Sequence, residues 1–220
     1  MSGIARLAAE IGYTVSGTDR EESPTLEALR SAGIDARAGH GARAVPADAQ
    51  TLVISSAVPP DNPERVAGAE RGLEEIHRSE LLAELMGARR GLAVAGAHGK
   101  STTSGMLAVI LDDPSACVGA VIAGGGGTGA RWGDDPWFIS EADESDRSLL
   151  NLVPEAAILL NVDLDHHAEY ADVDEVAGVF ARFLSRLPPD GVVIAGPDPR
   201  ARALAAAAPC PARLIGPGDG

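Results

Sequence analysis

The stretch GLAVAGAHGKSTTSGMLAVIL, residues 91–111, decides how the fold of this chain is interpreted. It divides into an apolar segment (91–95) that predicts a buried strand, a glycine-bearing turn (96–100), and a segment (101–111) that predicts a helix. In that order, the backbone N–H groups of the turn and the positive end of the helix dipole surround one point and favour an anion there. The stretch therefore predicts a phosphate-binding loop.

Two side chains favour phosphate binding over the alternative, an ordinary strand-to-helix turn. Lys100 can reach the outer phosphates of a nucleotide, and the Ser101 hydroxyl stands where Mg²⁺ needs an oxygen ligand. The spacing is Gly-x-x-Gly-Lys-Ser, with Val94 in the place of the first glycine of the longer standard motif. Lys100 is also the only lysine among 18 Lys and Arg residues. A coding bias towards Arg explains the missing lysines but not the position of this one.

Composition limits the classes of function. The 220 residues suffice for one large or two small domains, and their net charge of −14 repels polyanions, so no nucleic-acid partner is expected. Cys117 and Cys210 have no metal-ligand spacing and are interpreted as buried apolar residues. No apolar run is long enough to span a membrane, and the N-terminus does not resemble a signal peptide. We expect a cytoplasmic protein with no membrane partner.

Alternating strand and helix patterns run along the whole chain and predict a doubly wound parallel α/β sheet. Five strands are predicted besides 91–95, at 13–16, 51–55, 137–140, 156–161 and 191–195, with a further short strand ending at 76. Helices are predicted at 2–11, 24–33, 62–71, 78–89, 101–111, 173–187 and 200–208. Residues 123–129, which include four adjacent glycines, predict a mobile loop or, alternatively, a second anion cradle. Residues 209–220 show no clear final element.

Three predicted strands of the second half end in polar clusters, where α/β sheets bind ligands. The strand at 91–95 runs into the loop, the next into Glu141, Asp143, Glu144 and Asp146, and the third into Asn161 and the segment up to His167. These four carboxylates lie within six residues of sequence. They repel one another unless a cation is present. A solvated acidic loop is the alternative, but the phosphate loop nearby favours a Mg²⁺ site.

The histidines carry weaker signals. Imidazole is not the ligand that Mg²⁺ prefers, so the residues alone favour structural or surface roles for His166 and His167. His40 and His77 have no supporting context and are interpreted as surface or turn residues.

Seven stretches in this order resemble the Mur ligase family of ATP-dependent peptidoglycan-precursor ligases. They are residues 1–5 (MSGIA), 13–19 (YTVSGTD), 53–57 (VISSA), 78–86 (RSELLAELM), 95–103 (AGAHGKSTT), 141–146 (EADESD) and 161–166 (NVDLDH). The resemblance extends to about residue 197. His98 is typical of the branch that adds L-alanine to UDP-N-acetylmuramate, and Ser145 favours that branch over the murein-peptide recycling ligase.

The resemblance implies a function and a set of site residues. ATP would convert the carboxylate of UDP-N-acetylmuramate to an acyl phosphate, which the amine of L-alanine would attack, in cell-wall biogenesis. Lys100 and His166 would be catalytic, and Ser101, Glu141 and His166 would hold Mg²⁺. The nucleotide would contact Gly96, Ala97, His98, Gly99, Lys100, Ser101, Thr102 and Asn161. Asp19, Ser55, Ser56 and Arg78 would lie near the UDP-sugar. Nothing in the sequence indicates the oligomeric state.

The resemblance also implies domains and departures from the family. Residues 1–89 would be a Rossmann-like UDP-substrate domain that lacks the family's first strand and glycine-rich loop. Residues 90–220 would be an incomplete P-loop ATPase domain, with the C-terminal domain absent. Ala168 replaces the family's usual Asp, Ser101 its usual Thr, and the segment 111–121 is shorter. We expect weak nucleotide binding and slow turnover from such a fragment. A non-catalytic nucleotide-binding relic, or another Mur-type amide ligase, is the alternative.

Overall fold

A computed structural model describes residues 1–122, 128–165 and 169–216. By its internal contacts the chain divides into two compact units, Met1–Leu82 and Ala83–Gly220. The division falls within the helix Arg78–Gly87, and the predicted domain boundary between residues 89 and 90 follows the end of that helix.

The first unit contains two parallel strand pairs. β1 (Ser16–Asp19) pairs with β2 (Asp35–Ala38), and β3 (Thr51–Ile54) pairs with β4 (Glu74–His77). Among the described residues, no strand pairing joins one pair to the other. The helices of this unit are α1 (Ser2–Glu10), α2 (Pro24–Ser31), α3 (Pro63–Glu70) and the start of α4 (Arg78–Gly87).

The second unit is built on one seven-stranded sheet of order β11-β10-β9-β5-β8-β6-β7. All neighbours are parallel except β6 and β7. The strands are β5 (Arg90–Ala95), β6 (Ser115–Cys117), β7 (Ala130–Arg131), β8 (Trp137–Ala142), β9 (Ala156–Leu159), β10 (Val192–Ala195) and β11 (Ala212–Leu214). The helices are α5 (Lys100–Ile110), α6 (Val173–Leu184) and α7 (Pro199–Ala206). This architecture confirms the predicted α/β class with a mainly parallel sheet.

The strand register brings three carboxyl ends together at the centre of this sheet. β5 lies between β8 and β9, and its last residue, Ala95, stands opposite Ala142 on one side and Leu159 on the other. Ala93, Val94 and Ala95 have no solvent exposure. Because strands covered on both faces must be apolar throughout, the alanine- and valine-rich sequence suits this position. The polar residues that follow the three strands therefore emerge side by side.

Local signals explain where the helices begin. Side-chain oxygens of Ser23, Asn62, Asp172 and Asp198 cap α2, α3, α6 and α7 by accepting backbone N–H groups of the first turn. Three of these helices have Pro directly after the cap, where its missing N–H and fixed φ do no harm. In α6 the apolar stripe predicted from the sequence is buried, from Val176 to Leu184.

Some sequence-based predictions differ from the structure. The strand predicted at 13–16 lies at Ser16–Asp19 instead, and the sequence predicts none of β2, β6, β7 and β11. Residues 209–220, predicted to lack a final element, contain β11. These strands have two to four residues, and each forms through pairing with a neighbour. The glycine-rich segment 123–129, predicted to be a mobile loop or an anion cradle, lies largely outside the described residues. In the described part of the chain, no helix has the length and apolarity needed to cross a membrane.

Candidate functional site

The turn after β5 has a backbone that requires glycine at two positions. Gly96 has φ of +137° and Gly99, the residue before α5, has φ of +87°. A Cβ atom built on Gly96 would lie 3.1 Å from both the Asn161 N atom and the Leu160 Cβ atom. Because side chains rarely adopt a positive φ and a Cβ at Gly96 would crowd its neighbours, the two glycines allow a tight turn at the start of a helix. This is the geometry in which backbone N–H groups receive an anion.

Lys100 folds back over this turn. Its Nζ atom donates to the Gly96 carbonyl oxygen at 2.7 Å and to the Ala97 carbonyl oxygen at 3.2 Å. The same atom lies 3.0 Å from both carboxylate oxygens of Glu144. The lysine side chain is 14% exposed. The ammonium group is therefore held at the turn by two carbonyls and one carboxylate.

Ser101 and Glu141 meet beside the lysine. The Ser101 hydroxyl donates to Glu141 Oε2 at 3.1 Å, and the Gly119 N–H donates to Glu141 Oε1 at 2.6 Å. Ser101 is in the first turn of α5, and Glu141 is near the end of β8. A hydroxyl and a carboxylate oxygen at the rim of a phosphate-type loop are the hard oxygen donors that Mg²⁺ prefers. The pair therefore fits a divalent cation that keeps several waters.

Glu144 is a buried acid. The residue is 1% exposed, its carbonyl oxygen accepts from the Arg147 N–H at 3.0 Å, and it also accepts from the Tyr170 hydroxyl. Burial raises the pKa of Glu144, while the hydrogen bond from Lys100 acts in the opposite direction. Burial likewise raises the pKa of Tyr170. Of the four clustered carboxylates, the one that contacts Lys100 is thus Glu144, and the one that contacts Ser101 is Glu141.

Asn161 fixes the turn from the end of β9. Its Oδ1 atom accepts from the His98 N–H at 2.9 Å, and its Nδ2 atom donates to the His98 carbonyl oxygen at 3.0 Å. The Ala97 N–H also donates to the Asn161 carbonyl oxygen at 3.4 Å. Asn161 thus satisfies the backbone of the turn as another strand would.

The imidazole of His98 lies between two aspartates of the segment after β9. Its Nε2 atom is 3.7 Å from Asp163 Oδ2 and its Nδ1 atom is 3.7 Å from Asp165 Oδ2. All three side chains are well exposed, so these contacts are weak. His166, predicted to be catalytic and to bind metal, lies outside the described residues, as do His167 and Ala168.

A cavity of about 520 Å³ opens beside the turn. It is lined by His98, Gly99, Thr103, Leu160, Asn161, Gly196, Pro197 and Asp198. Thr103 contributes to this wall, whereas its neighbour Thr102 is exposed. The cavity therefore extends from the predicted phosphate loop towards the loop between β10 and α7.

The structure brings residues predicted to contact the nucleotide and residues predicted to hold the metal close to one another. Lys100, Ser101, Glu141 and Asn161 all contact the turn at 96–101 or one another. Among the described residues, no group of three or more His, Cys, Asp or Glu side chains is placed to hold a metal ion. A metal site here would therefore use the hydroxyl of Ser101 together with the Glu141 carboxylate.

The predicted substrate residues lie at strand ends of the first unit. Asp19 ends β1, Ser55 and Ser56 directly follow β3, and Arg78 begins α4. The Ser56 hydroxyl is 3.1 Å from Nε2 of His77, the last residue of β4, whose Nδ1 atom is 2.7 Å from the buried Ser79 hydroxyl. His77, interpreted from sequence as a surface or turn residue, is therefore a half-buried part of this polar group.

His40 also has partners that sequence reasoning missed. Its Nδ1 atom is 2.8 Å from the Thr18 hydroxyl, which donates to Glu64 Oε1 at 2.7 Å. The Gly41 N–H donates to the same Glu64 oxygen at 3.1 Å. Thr18 lies inside β1, His40 follows β2 and Glu64 is in the first turn of α3, so no sequence motif joins these residues.

Known proteins are similar to almost the entire chain. The family described as "Mur ligase family, catalytic domain" matches residues 1–90. The chain is 44% identical over 221 residues to the UDP-N-acetylmuramate–L-alanine ligase of Rubrobacter xylanophilus, an alignment that covers 98% of this chain and 49% of the relative. It is 48% identical over 216 residues to the ligase of the same name from Kineococcus radiotolerans, with 93% and 45% covered. The chain spans about half the length of the curated relatives it matches.

A solved structure shares the fold. The UDP-N-acetylmuramate:L-alanyl-γ-D-glutamyl-meso-diaminopimelate ligase of Neisseria meningitides superposes with a TM-score of 0.89 and 27% identity, over 99% of this chain and 74% of the other. Sequence relatives and structural neighbour agree on one family, as the motifs of the turn and strand ends predict. Residues 1–90 match the Mur ligase family model, and nearly the whole chain is similar to UDP-N-acetylmuramate–L-alanine ligases.

Proposed function

We propose that this chain takes part in the ATP-dependent joining of L-alanine to UDP-N-acetylmuramate, in the cytoplasm, as a step of peptidoglycan precursor synthesis. The observation that carries the proposal is the convergence of Lys100, Ser101 and Glu141 at one glycine turn beyond the central strand. The names of the relatives at 44% and 48% identity add support, because both act in that reaction by name.

In this proposal the turn receives the phosphates of ATP. The backbone N–H groups at the start of α5 and the positive end of its dipole attract the anion, and the Lys100 ammonium neutralises charge that develops on the transferred phosphoryl group. Asn161 keeps the turn in its binding conformation through its two hydrogen bonds with the His98 backbone. These residues would position the phosphates and neutralise their charge, and these two effects account for most of the catalysis of phosphoryl transfer by proteins.

Ser101 and Glu141 would hold Mg²⁺, which would neutralise phosphate oxygens when bound. The two oxygens are 3.1 Å apart and now form a hydrogen bond. This distance supports the assignment, because one small cation could coordinate both oxygens. We assign His166 to a second metal-binding role, and the cavity at His98 and Asn161 to the base and ribose of the nucleotide.

The chemistry then divides into two transfers. The carboxylate oxygen of UDP-N-acetylmuramate takes the γ-phosphoryl group, and ADP leaves. The amine of L-alanine attacks the resulting acyl phosphate, the amide forms, phosphate leaves, and the amine loses a proton. We assign Asp19, Ser55, Ser56 and Arg78 to the UDP-sugar, and add His77 because it contacts Ser56.

A second candidate has one observation in its favour. The structural neighbour with a TM-score of 0.89 is named as a ligase for L-alanyl-γ-D-glutamyl-meso-diaminopimelate. Its identity of 27% is well below the 44% and 48% of the alanine ligases, and His98 and Ser145 also favour the alanine branch.

Nucleotide titration tests the first step. We expect the chain to bind Mg·ATP by isothermal titration calorimetry, and Lys100→Met to weaken that affinity about 100-fold because a charge-assisted contact to phosphate is lost. Lys100→Arg, which keeps the charge, is the matched control and should retain more of the affinity. Ser101→Ala and Glu141→Gln should make binding less dependent on Mg²⁺.

Product analysis tests the rest. The chain is incubated with ATP, Mg²⁺ and UDP-N-acetylmuramate, together with either L-alanine or the tripeptide L-alanyl-γ-D-glutamyl-meso-diaminopimelate. The products are identified by mass spectrometry. Amide formation with L-alanine alone supports the proposal, and formation with the tripeptide alone supports the second candidate. Binding of Mg·ATP that Lys100→Met leaves unchanged would contradict the assigned site. Binding without either product, even after a C-terminal domain is added back, favours a non-catalytic nucleotide-binding relic.

A further inference from the structure

Lys100 uses all of its hydrogen-bond donors within the protein. An ammonium group has three N–H bonds. Two directions are taken by the Gly96 and Ala97 carbonyl oxygens at 2.7 and 3.2 Å, and the third by the Glu144 carboxylate, with both oxygens at 3.0 Å. A phosphate oxygen can therefore bind Lys100 only if one of these partners gives way.

Glu144 is the partner that resembles a phosphate. The two carbonyls belong to the turn itself, so they remain beside Lys100 whenever the turn keeps its shape. The carboxylate is an anion with two oxygens directed at the ammonium, as a phosphate would be. It is 1% exposed, and its backbone is held by the Arg147 N–H and the Tyr170 hydroxyl. Glu144 thus occupies the phosphate direction and is fixed there.

We propose that Glu144 is a positioning residue that holds the Lys100 ammonium in the place of a ligand phosphate, and that phosphate binds by exchange with this carboxylate. The inference rests on the proposed nucleotide site and extends it to a residue that takes no part in metal or phosphate binding. The exchange keeps Lys100 oriented before the ligand arrives, and it makes the affinity for nucleotide depend on how readily Glu144 releases the lysine.

Release of Lys100 has a consequence for the proton balance of the site. Burial raises the pKa of Glu144, Lys100 lowers it, and neighbouring Asp143 raises it further; the Tyr170 hydroxyl faces the Glu144 carbonyl oxygen. When the lysine turns to phosphate, the interaction that lowers the pKa weakens while burial remains. The carboxyl then takes up a proton, so the affinity for phosphate should fall as the pH rises.

The test compares Glu144→Gln with the wild-type chain. Titrated with Mg·ATP at pH 7, the variant should bind about tenfold more tightly, because no competing carboxylate holds the lysine. Asp146→Asn is the matched control: it removes the same charge from the same loop, and its Oδ1 atom accepts from the Ser148 N–H. We expect this control to change the affinity far less.

Proton counting supplies a readout that a purely structural role would not move. The heat of Mg·ATP binding is measured in two buffers of different ionisation enthalpy, for both proteins. Any proton that the nucleotide itself releases or takes up is the same for the wild type and the variant, so it cancels in the difference between their proton counts. The wild type should take up more protons per nucleotide than Glu144→Gln, and its affinity should fall more steeply between pH 6 and 8, values chosen to span the neutral range.

Each outcome decides. Equal or weaker binding by a folded Glu144→Gln, or equal proton counts, overturns the inference while wild-type binding leaves the proposed function standing. If the wild type binds no Mg·ATP, the proposed function fails and this inference fails with it. If the circular-dichroism spectrum shows that Glu144→Gln is unfolded, the same measurements are made on Glu144→Asp, and the wild-type affinity is measured as a function of pH. A wild-type affinity that does not change with pH then overturns the inference.

Discussion

Both units place polar side chains at the carboxyl ends of parallel strands, but they hold them differently. In the second unit, β5 is covered on both sides by β8 and β9, and the turn that follows is fixed by Asn161, Glu144 and two glycines with positive φ. In the first unit, the strands form two separate pairs and are largely half-buried or exposed. Their polar groups are held mainly by side-chain contacts such as Thr18 with Glu64 and Ser56 with His77.

The difference shows how one sheet rule can produce two kinds of site. In the proposed nucleotide site, the backbone that would bind the ligand follows a central strand, which its two neighbouring strands hold in place. Next to the short strand pairs, the polar groups are held in place by side chains, and each side chain depends on one or two hydrogen bonds. The predictions below test whether the second unit depends on backbone geometry and the first on individual side chains.

The largest effect should come from Gly96→Ala. The new Cβ would lie 3.1 Å from the Asn161 N atom, in a backbone with φ of +137°. We expect a loss of about 2–4 kcal/mol in the free energy of unfolding, from strain and crowding together. Gly105→Ala is the control, because Gly105 lies inside α5 with no atom within 4 Å of the added Cβ. It should stabilise the chain by about 0.5–1 kcal/mol. Urea unfolding measures both, and equal behaviour of the two variants would contradict the claim for the turn.

The next effect concerns the first unit. Glu64→Ala removes the acceptor shared by the Thr18 hydroxyl and the Gly41 N–H. We expect local stability to fall by about 1–3 kcal/mol, because two partly buried donors lose their acceptor. Amide hydrogen exchange at residues 16–19 and 38–44 reports this separately from the second unit. Glu70→Ala, an exposed change on the same helix, should leave exchange unchanged. Mg·ATP affinity that falls with Glu64→Ala would show that the two units do not behave separately.

Asn161→Ala should have a smaller effect on the fold and a clearer one on binding. The change removes two hydrogen bonds to the His98 backbone, with an expected loss of about 1–2 kcal/mol. The turn should open more often, so the His98 amide should exchange faster and Mg·ATP should bind about tenfold more weakly. Unchanged exchange at His98 would mean that the turn keeps its shape without Asn161.

The smallest effect is expected at the surface pair of Arg90 and Glu155. The hydrogen bond from Arg90 lowers the pKa of Glu155, so the pair stabilises the fold above the ordinary carboxyl pKa and loses this contribution as the pH falls through the lowered value. Glu155→Gln should therefore lower the thermal midpoint slightly at pH 7, and the difference should shrink as the pH falls below the ordinary carboxyl pKa and vanish below the lowered one. A difference that persists at low pH would assign the effect to packing instead.

Much of the second unit follows from the sequence alone. The apolar run at 91–95, the glycines and the single lysine predict β5, the turn and α5, and the structure has these elements within one residue of the predicted limits. The short strands could not be predicted in this way. β2 has the sequence Asp-Ala-Arg-Ala and β11 the sequence Ala-Arg-Leu. Neither is an extended apolar run, and each strand forms by pairing with a neighbouring strand.

The site divides along the same line. The sequence by itself determined which chemistry is available: one ammonium, one hydroxyl beside it and four carboxylates after the next strand, because residue types and strand order are local properties. The family resemblance already grouped Glu141 with Ser101, but only the tertiary structure decided that Glu144 contacts Lys100. That choice depends on strand register and on the path of the chain after β8, which contacts between residues distant in sequence establish. His40 and His77 gained their partners for the same reason.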